Sequence, residues 1–148
     1  MKLVIQRVSV ASVSVNGQIV SEIGRGALIL IGVARSDTAA DAEWLAGKVS
    51  KLRIYDDPLG RLNHSISEAG GSFLVVSQFT LYGDCAKGNR PSYIEAAEPE
   101  TAAALYELFA QKLRACGHEV KTGVFREHMD VQLVNDGPVT ILMESHGR

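Results

Sequence analysis

The chain has 148 residues, of which 46% are hydrophobic and 22% are charged, and its formal net charge is −2. This is typical of one globular domain, residues 1–148, and excludes a disordered or collagen-like protein. The charge argues against a broad basic surface for nucleic acid, although a few local cations could still hold one RNA end. We expect a cytoplasmic protein without membrane contacts, because the chain starts with no signal peptide and its longest apolar run cannot cross a bilayer.

The first third of the chain predicts a hairpin followed by a buried strand. Residues 8–15 alternate apolar and small polar side chains, and Asn16-Gly17 separates them from a second strand-like segment, residues 18–23. An Asn-Gly pair in this setting is a strong hairpin signal. The continuous apolar residues 27–34 predict a central strand.

A helix, a turn and another strand are predicted next. Residues 36–53 place leucine and valine on one helical face, and Asp37 or Thr38 can cap this helix. Residues 56–60 have the composition of a turn. The apolar segment that follows predicts a buried strand over residues 72–81.

The last part of the chain predicts a loop, a helix and two strands. Residues 82–98 lack a clear period, Pro99 is suited to the first position of a helix, and Gly117 ends that helix. Strands are expected near 118–125 and 129–144, the second interrupted at residues 135–138. The element order predicts a single α/β domain whose helices pack over a mixed or largely antiparallel sheet.

The sequence lacks several common sites for metals, cofactors and nucleophiles. Its histidines and cysteines do not show metal-ligand spacing, and it has neither a phosphate-binding glycine loop nor an esterase elbow. We therefore predict no metal and no cofactor. Cys85 and Cys116 are expected to be free thiols.

Ser77-Gln78-Phe79-Thr80 follows a buried strand, where sheets commonly place functional groups. The simpler interpretation is that the hydroxyls of Ser77 and Thr80 bond the local backbone. The pattern alone leaves both interpretations open.

Gly137-Pro138 interrupts the last predicted strand. A glycine before proline is normally a turn, but it also permits a cis peptide at a cost of roughly 0.5–1 kcal/mol. A cis peptide there would be rigid and could present two backbone carbonyls to a ligand at close range.

Two cations, Lys87 and Arg90, lie in a loop that also contains Tyr93, so this loop could hold phosphates and stack a base. A solvated loop explains the pattern equally well. Cys85 and His128 could form a thiol nucleophile pair, but no third group supports one.

In combination, these segments resemble the D-aminoacyl-tRNA deacylase family. The matching motifs occur in order along nearly the whole chain: IQRV and ASVSV, IGRGALILIGV, VVSQFTLYGD, KGNRPSY, GVF-x3-M and NDGPVT. SQFTL and NDGPVT together are highly specific. The resemblance implies an ester hydrolase, barrel-like β/β/α layers and a homodimer that binds the 3′ end of aminoacyl-tRNA, with no DNA partner.

The resemblance also implies roles for particular residues. Gly137-Pro138 is expected to be cis and to enter the cavity of the neighbouring subunit, opposite the segment Ser77 to Thr80. Arg7 is expected to hold the Gly-Pro segment. Phe125 and Met129 are expected to line the pocket for the aminoacyl end and terminal adenosine.

Two segments depart from the family pattern: Arg126-Glu127-His128 replaces small residues, and Cys85-Ala86 replaces a Thr-Arg pair. The first could change pocket width or RNA contacts, and the second removes one cation. Backbone N–H groups near Phe79 and Thr80 could stabilise an oxyanion. The resemblance implies that the ribose hydroxyl of the substrate assists the reaction. A small-ester hydrolase using Thr80 or Cys85 and a noncatalytic RNA-end-binding dimer remain alternatives.

Overall fold

The computed structural model describes residues 1–146. The strands and helices, in chain order, are β1 (Lys2–Val15), β2 (Gln18–Ile23), β3 (Gly26–Gly32), α1 (Ala39–Val49), β4 (Arg53–Asp56), β5 (Leu62–Ser65), β6 (Ser72–Ser77), a 3₁₀ helix (Phe79–Tyr82), α2 (Pro99–Ala115), β7 (Val120–Thr122) and β8 (Asp130–Glu144). None of the described helices is long and apolar enough to cross a membrane.

The long strand β1 organises the main sheet. Residues 2–8 of β1 pair antiparallel with β3, residues 11–15 pair with β2, and β8 runs antiparallel along the opposite edge. The β1–β2 hairpin turns at Asn16 and Gly17, which have φ of +51° and +77°. Positive φ at both residues is typical of a type I′ turn, whose twist matches that of the two flanking strands. The hairpin prediction is therefore confirmed.

The other half of the sheet is parallel and curls back toward β2. Strand β6 pairs parallel with β3, and β7 pairs parallel with β6. The Ser21 hydroxyl donates to the Thr122 carbonyl, and the Lys121 ammonium donates to the Glu22 carbonyl at 2.8 Å. These bonds join β2 to β7, so the sheet nearly closes into a barrel.

Both faces of the central strands are buried, which explains their continuous apolar sequence. Ile29 and Ile31 pack against α1 and α2 in the larger core, whereas Leu28 and Leu30 face the smaller core on the opposite side. The two helices contact each other and lie on one side of the sheet. The predicted mixed α/β architecture is confirmed.

The first helix is shorter than predicted at both ends. It spans Ala39–Val49, with Thr38 as the N-cap. Asp37 lies outside the helix because its buried carboxylate accepts from the Met1 ammonium at 2.5 Å and from the Ala34 N–H. After the helix the chain turns at once, so that Ile54 enters the core.

The strand predicted over residues 72–81 is also too long. β6 ends at Ser77, and residues 79–82 form a 3₁₀ helix. The Gln78 N–H still donates to the Ile31 carbonyl at 2.8 Å, after which the chain leaves the sheet. The β4–β5 hairpin is not predicted because each strand has only four residues and the sequence of β5 is mostly polar.

The final strand has the interruption that the sequence predicts. Gln6 pairs with Thr140 and Val8 pairs with Asn135, so residues 136–139 of β8 lie opposite Arg7 alone. This extra length lifts the segment containing Gly137 and Pro138 out of the regular ladder.

Candidate functional site

A cavity of about 490 Å³ opens where the parallel strands β3 and β6 end. Ligands of α/β sheets commonly bind at this edge. The start of α2 and the connection between β7 and β8 complete its walls. Eight residues that the sequence motifs single out line this cavity: Ser77, Gln78, Phe79, Phe125, Arg126, Glu127, His128 and Met129.

The segment that follows β6 forms one wall of the cavity. Ser77 ends the strand, Gln78 turns the chain, and the Phe79 ring is 56% exposed. Within residues 1–146 the cavity lining does not include Thr80. The Gln78 side-chain amide donates a hydrogen bond to the Thr80 hydroxyl, and an amide cannot activate that hydroxyl as a base.

Two apolar side chains, Phe125 and Met129, contribute to the opposite wall. The Phe125 ring centroid lies 5.9 Å from that of Tyr106, and Met129 packs against the smaller core. Gly123 permits this arrangement, since a Cβ at that position would lie 2.6 Å from the Met129 sulfur. Burial raises the pKa of Tyr106 to about 12, so its phenol stays neutral at physiological pH.

A second cluster surrounds the Gly-Pro segment. The Gly137–Pro138 peptide bond is cis, and Gly137 has φ of +134°, which favours glycine. The Asn135 side-chain amide donates to the carbonyls of Arg7 and Val139 at 2.9 and 3.0 Å. Both ends of the exposed Gly-Pro pair are therefore held.

Arg7 fastens this segment to the rest of the fold. Its buried guanidinium donates through Nε to the Asp136 carbonyl at 3.0 Å and through one terminal nitrogen to the Ile54 carbonyl at 2.8 Å. The same terminal nitrogen lies 3.3 Å from an Asp56 carboxylate oxygen. The guanidinium thus links β4 to the Gly-Pro segment.

The exposed loop that carries Lys87 and Arg90 is a third feature. Reciprocal backbone hydrogen bonds of 2.8 Å between Asp84 and Ser92 close this loop. Beside it, the Tyr93 ring packs edge-on against Phe79, with centroids 5.0 Å apart. The base of the loop therefore lies next to the cavity, although neither cation lines the cavity.

Sequence reasoning missed one cluster of three ligand-type residues. Asp37, Asp41 and His146 place carboxylate and imidazole atoms within 4.8 Å of one another. These residues are already engaged, since His146 lies 2.7 Å from the Asp37 carboxylate that also binds the Met1 ammonium. His118, also unpredicted, is buried edge-on against Phe73.

The predicted site residues thus fall into separate groups. Arg7, Gly137 and Pro138 are brought together, but within the described part of the chain they do not line the cavity formed by Ser77 to Phe79. The exposed Cys85 and Cys116 are free thiols, as expected, and do not line it either. Within a single copy of the chain, the Gly-Pro segment therefore lies outside the cavity.

Comparison with known proteins decides the family. The sequence model of the D-Tyr-tRNA(Tyr) deacylase family matches residues 4–144. The chain belongs to this family. A relative from Thermomicrobium roseum named D-aminoacyl-tRNA deacylase is 59% identical over 145 residues, which is 98% of this chain and 94% of the relative. One from Thermotoga petrophila with the same name is 56% identical, covering 98% and 97%.

Solved structures agree with the D-Tyr-tRNA(Tyr) deacylase fold. A protein named c-Myc DNA unwinding element binding protein superposes with a TM-score of 0.91 at 39% identity, covering 97% of this chain and 98% of that one. A probable eukaryotic D-amino acid tRNA deacylase superposes with a TM-score of 0.81 at 20% identity over the same shares, which shows the common fold.

Proposed function

We propose that this chain is a D-aminoacyl-tRNA deacylase, a hydrolase that cleaves the ester between a D-amino acid and the terminal ribose of tRNA. The observation that carries the proposal is the cavity at the end of β6, whose wall contains Ser77 to Phe79. Relatives at 56–59% identity over 98% of the chain carry this name. We place the reaction in the cytoplasm, where translation uses aminoacyl-tRNA.

The chemistry needs positioning more than a strong nucleophile, because the aminoacyl ester is already activated. Water adds to the carbonyl carbon, the carbon–oxygen ester bond breaks, and the ribose oxygen takes the proton. We assign the oxyanion contact to backbone N–H groups of Phe79 and Thr80 at the start of the 3₁₀ helix. The adjacent ribose hydroxyl of the substrate assists this water.

We propose that chirality is read by a second subunit. The exposed Gly137–Pro138 pair is held by Arg7 and lies outside its own cavity, so it is available to another copy. On the same strand, Val134 and Leu142 expose 54% and 74% of their surface. Exposed apolar side chains on either side of the pair support a homodimer interface.

In this arrangement, backbone at the partner's Gly137–Pro138 occupies the space that an L side chain would need. A rigid backbone can exclude every L residue without fitting each D residue. Glycine has no side chain to exclude, so glycyl-tRNA is also cleaved to some degree.

We assign tRNA phosphate contacts to Lys87 and Arg90. Both are exposed, and the contact between Tyr93 and Phe79 places the base of their loop beside the cavity. Two such cations can hold an RNA end even though the net charge of the chain is −2.

Three other functions are distinguishable by one set of assays. A side-chain hydrolase acting through Thr80 or Cys85 would cleave p-nitrophenyl acetate as well as D-tyrosyl-tRNA. A noncatalytic dimer would bind tRNA and cleave neither. A DNA-binding protein, suggested by the name of the structural relative, would bind DNA oligonucleotides in preference to tRNA.

We expect the protein to cleave D-tyrosyl-tRNA but not p-nitrophenyl acetate, and to bind tRNA in preference to DNA. Folded Thr80→Ala should retain deacylation within about tenfold, since the Thr80 hydroxyl is engaged with Gln78. Complete loss in that variant would support a nucleophilic Thr80.

A further inference from the structure

The residue Arg126 has an unusual backbone at the cavity mouth. Its φ is +67°, in the left-handed region that L side chains rarely adopt. The Glu127 N–H donates to the Val124 carbonyl at 3.3 Å, so Arg126 is the third residue of a tight turn. Glycine would occupy this position with the least strain.

The Arg126 side chain has no visible structural role to offset that strain. It is exposed, and among the residues that the structure describes no carboxylate lies within 4.0 Å of its guanidinium. It lines the cavity together with Glu127 and His128. His128 lies 3.7 Å from Asp130 and is charged only when it is protonated. Among the described residues of this wall, the Arg126 guanidinium is therefore the permanent cation without a carboxylate partner.

We propose that Arg126 binds the phosphodiester that joins the terminal nucleotide of the substrate tRNA to the nucleotide before it. The inference rests on the proposed function. When the ester on the terminal ribose lies in the cavity, the nearest anion of the substrate is the 5′-phosphate of that nucleotide, one ribose away. A guanidinium at the mouth can donate two parallel hydrogen bonds to such a phosphate.

The neighbouring carboxylate of Glu127 should have the opposite effect on substrate binding. Glu127 lies at the same mouth and would repel a phosphate held there. Arg126→Gln should therefore weaken substrate binding, whereas Glu127→Gln should strengthen it. If the two side chains merely narrowed the cavity, the isosteric change Glu127→Gln would have no effect, and the shorter side chain of Arg126→Gln would not weaken binding.

The test compares D-tyrosyl-tRNA with D-tyrosyl-adenosine, an ester that lacks the phosphodiester. Arg126→Gln keeps a polar, unbranched side chain but shortens it and removes the charge, and we expect its KM for D-tyrosyl-tRNA to rise about tenfold. The loss on D-tyrosyl-adenosine should be several-fold smaller. Arg126→Lys should retain most affinity for the tRNA, and Arg61→Gln, an exposed arginine in the β4–β5 turn, is the matched control.

A second readout is salt dependence. The slope of log affinity against log salt should become shallower by about 0.7 in Arg126→Gln, the contribution of one phosphate contact to a single strand. Arg126→Gly should lose the same affinity yet melt no lower than the wild type, because glycine adopts the positive φ without strain.

Equal losses on both substrates, or an unchanged salt slope, would overturn the inference, as would a lower melting temperature in Arg126→Gly. The proposed function fails separately: in that case the wild-type protein would cleave neither D-tyrosyl substrate. If the wild type cleaves both and Arg126→Gln matches it, only the phosphate contact is wrong.

Discussion

The Arg7 Nε atom donates a hydrogen bond of 3.0 Å to the carbonyl of Asp136, the residue immediately before Gly137. Arg7 lies in β1, and the same guanidinium reaches the Ile54 carbonyl in β4. The contact between Arg7 and Asp136, which are separated by 129 positions in the sequence, therefore holds the Gly-Pro segment in place.

Arg7→Lys should impair the Gly-Pro segment more than it impairs the fold. Lysine keeps the charge but lacks the planar guanidinium, whose separate nitrogens donate to the Asp136 and Ile54 carbonyls at the same time. We expect at least a tenfold fall in kcat/KM for D-tyrosyl-tRNA, increased cleavage of L-tyrosyl-tRNA, and a loss of about 2 kcal/mol in unfolding free energy.

Arg25→Lys is the matched control for Arg7→Lys. Both arginines lie over the ring of Tyr55, at 5.0 Å for Arg25 and 5.8 Å for Arg7. The exposed Arg25 side chain makes no hydrogen bond to the Gly-Pro segment in the described part of the chain. Similar changes in D and L cleavage for the two variants would contradict the role assigned to Arg7.

Gly137→Ala should abolish activity while the domain stays folded. A Cβ at this residue would lie 2.8 Å from the Val139 nitrogen and 3.1 Å from an Arg7 nitrogen, in a backbone with φ of +134°. We expect a fall of at least 100-fold in kcat on D-tyrosyl-tRNA, with an unchanged circular dichroism spectrum. Gly47→Ala is the control, since nothing lies within 4 Å of its Cβ and it should stabilise α1 by about 0.5–1 kcal/mol.

Subunit mixing extends the Gly137 experiment to the proposed dimer. Gly137→Ala keeps the cavity intact. Gln78→Ala keeps the Gly-Pro segment but removes a side chain that lines the cavity, and we expect it to be inactive as a homodimer. Verified heterodimers of the two should regain activity through one complete site. Heterodimers that remain inactive, or an active isolated monomer, would contradict a site completed by the partner.

Lys87→Ala and Arg90→Ala should weaken tRNA binding without blocking catalysis. Each should make the slope of log affinity against log salt shallower by about 0.7–0.9 and leave the single-turnover rate at saturation largely unchanged. Lys51→Ala, an exposed lysine after α1, provides the comparison. If both loop variants retain the wild-type slope, this loop does not bind the RNA.

His118 should make stability fall as the solution becomes mildly acidic. Burial lowers the pKa of this imidazole below its ordinary value near 6.5. The unfolded chain therefore binds the proton more readily, and unfolding becomes easier as pH falls below about 6.5. The urea midpoint should drop between pH 8 and 5.5 and drop less in His118→Gln.

The sequence predicts local structure where one or two residues determine it. Asn16-Gly17 predicts the first hairpin because its backbone must adopt positive φ, and Pro99 predicts the start of α2. The apolar residues of β3 and β6 predict buried strands. Their shared carboxyl edge also explains why the polar residues after β6 lie in a cavity.

The connections between distant segments could not be predicted in the same way. The sequence contains no signal that joins Arg7 to Asp56, because β4 is short and the contact depends on how the β4–β5 hairpin folds back. The start of α1 also depends on a group far away in the sequence, the Met1 ammonium, because Asp37 binds this ammonium instead of entering the helix.

Initial rates of the pure protein on matched D-tyrosyl-, L-tyrosyl- and glycyl-tRNA show whether this chain hydrolyses aminoacyl-tRNA according to chirality. We expect rapid release of D-tyrosine, measurable release of glycine and no release of L-tyrosine even at high enzyme concentration. Comparable rates on the D and L substrates, or no cleavage of D-tyrosyl-tRNA, would contradict this expectation.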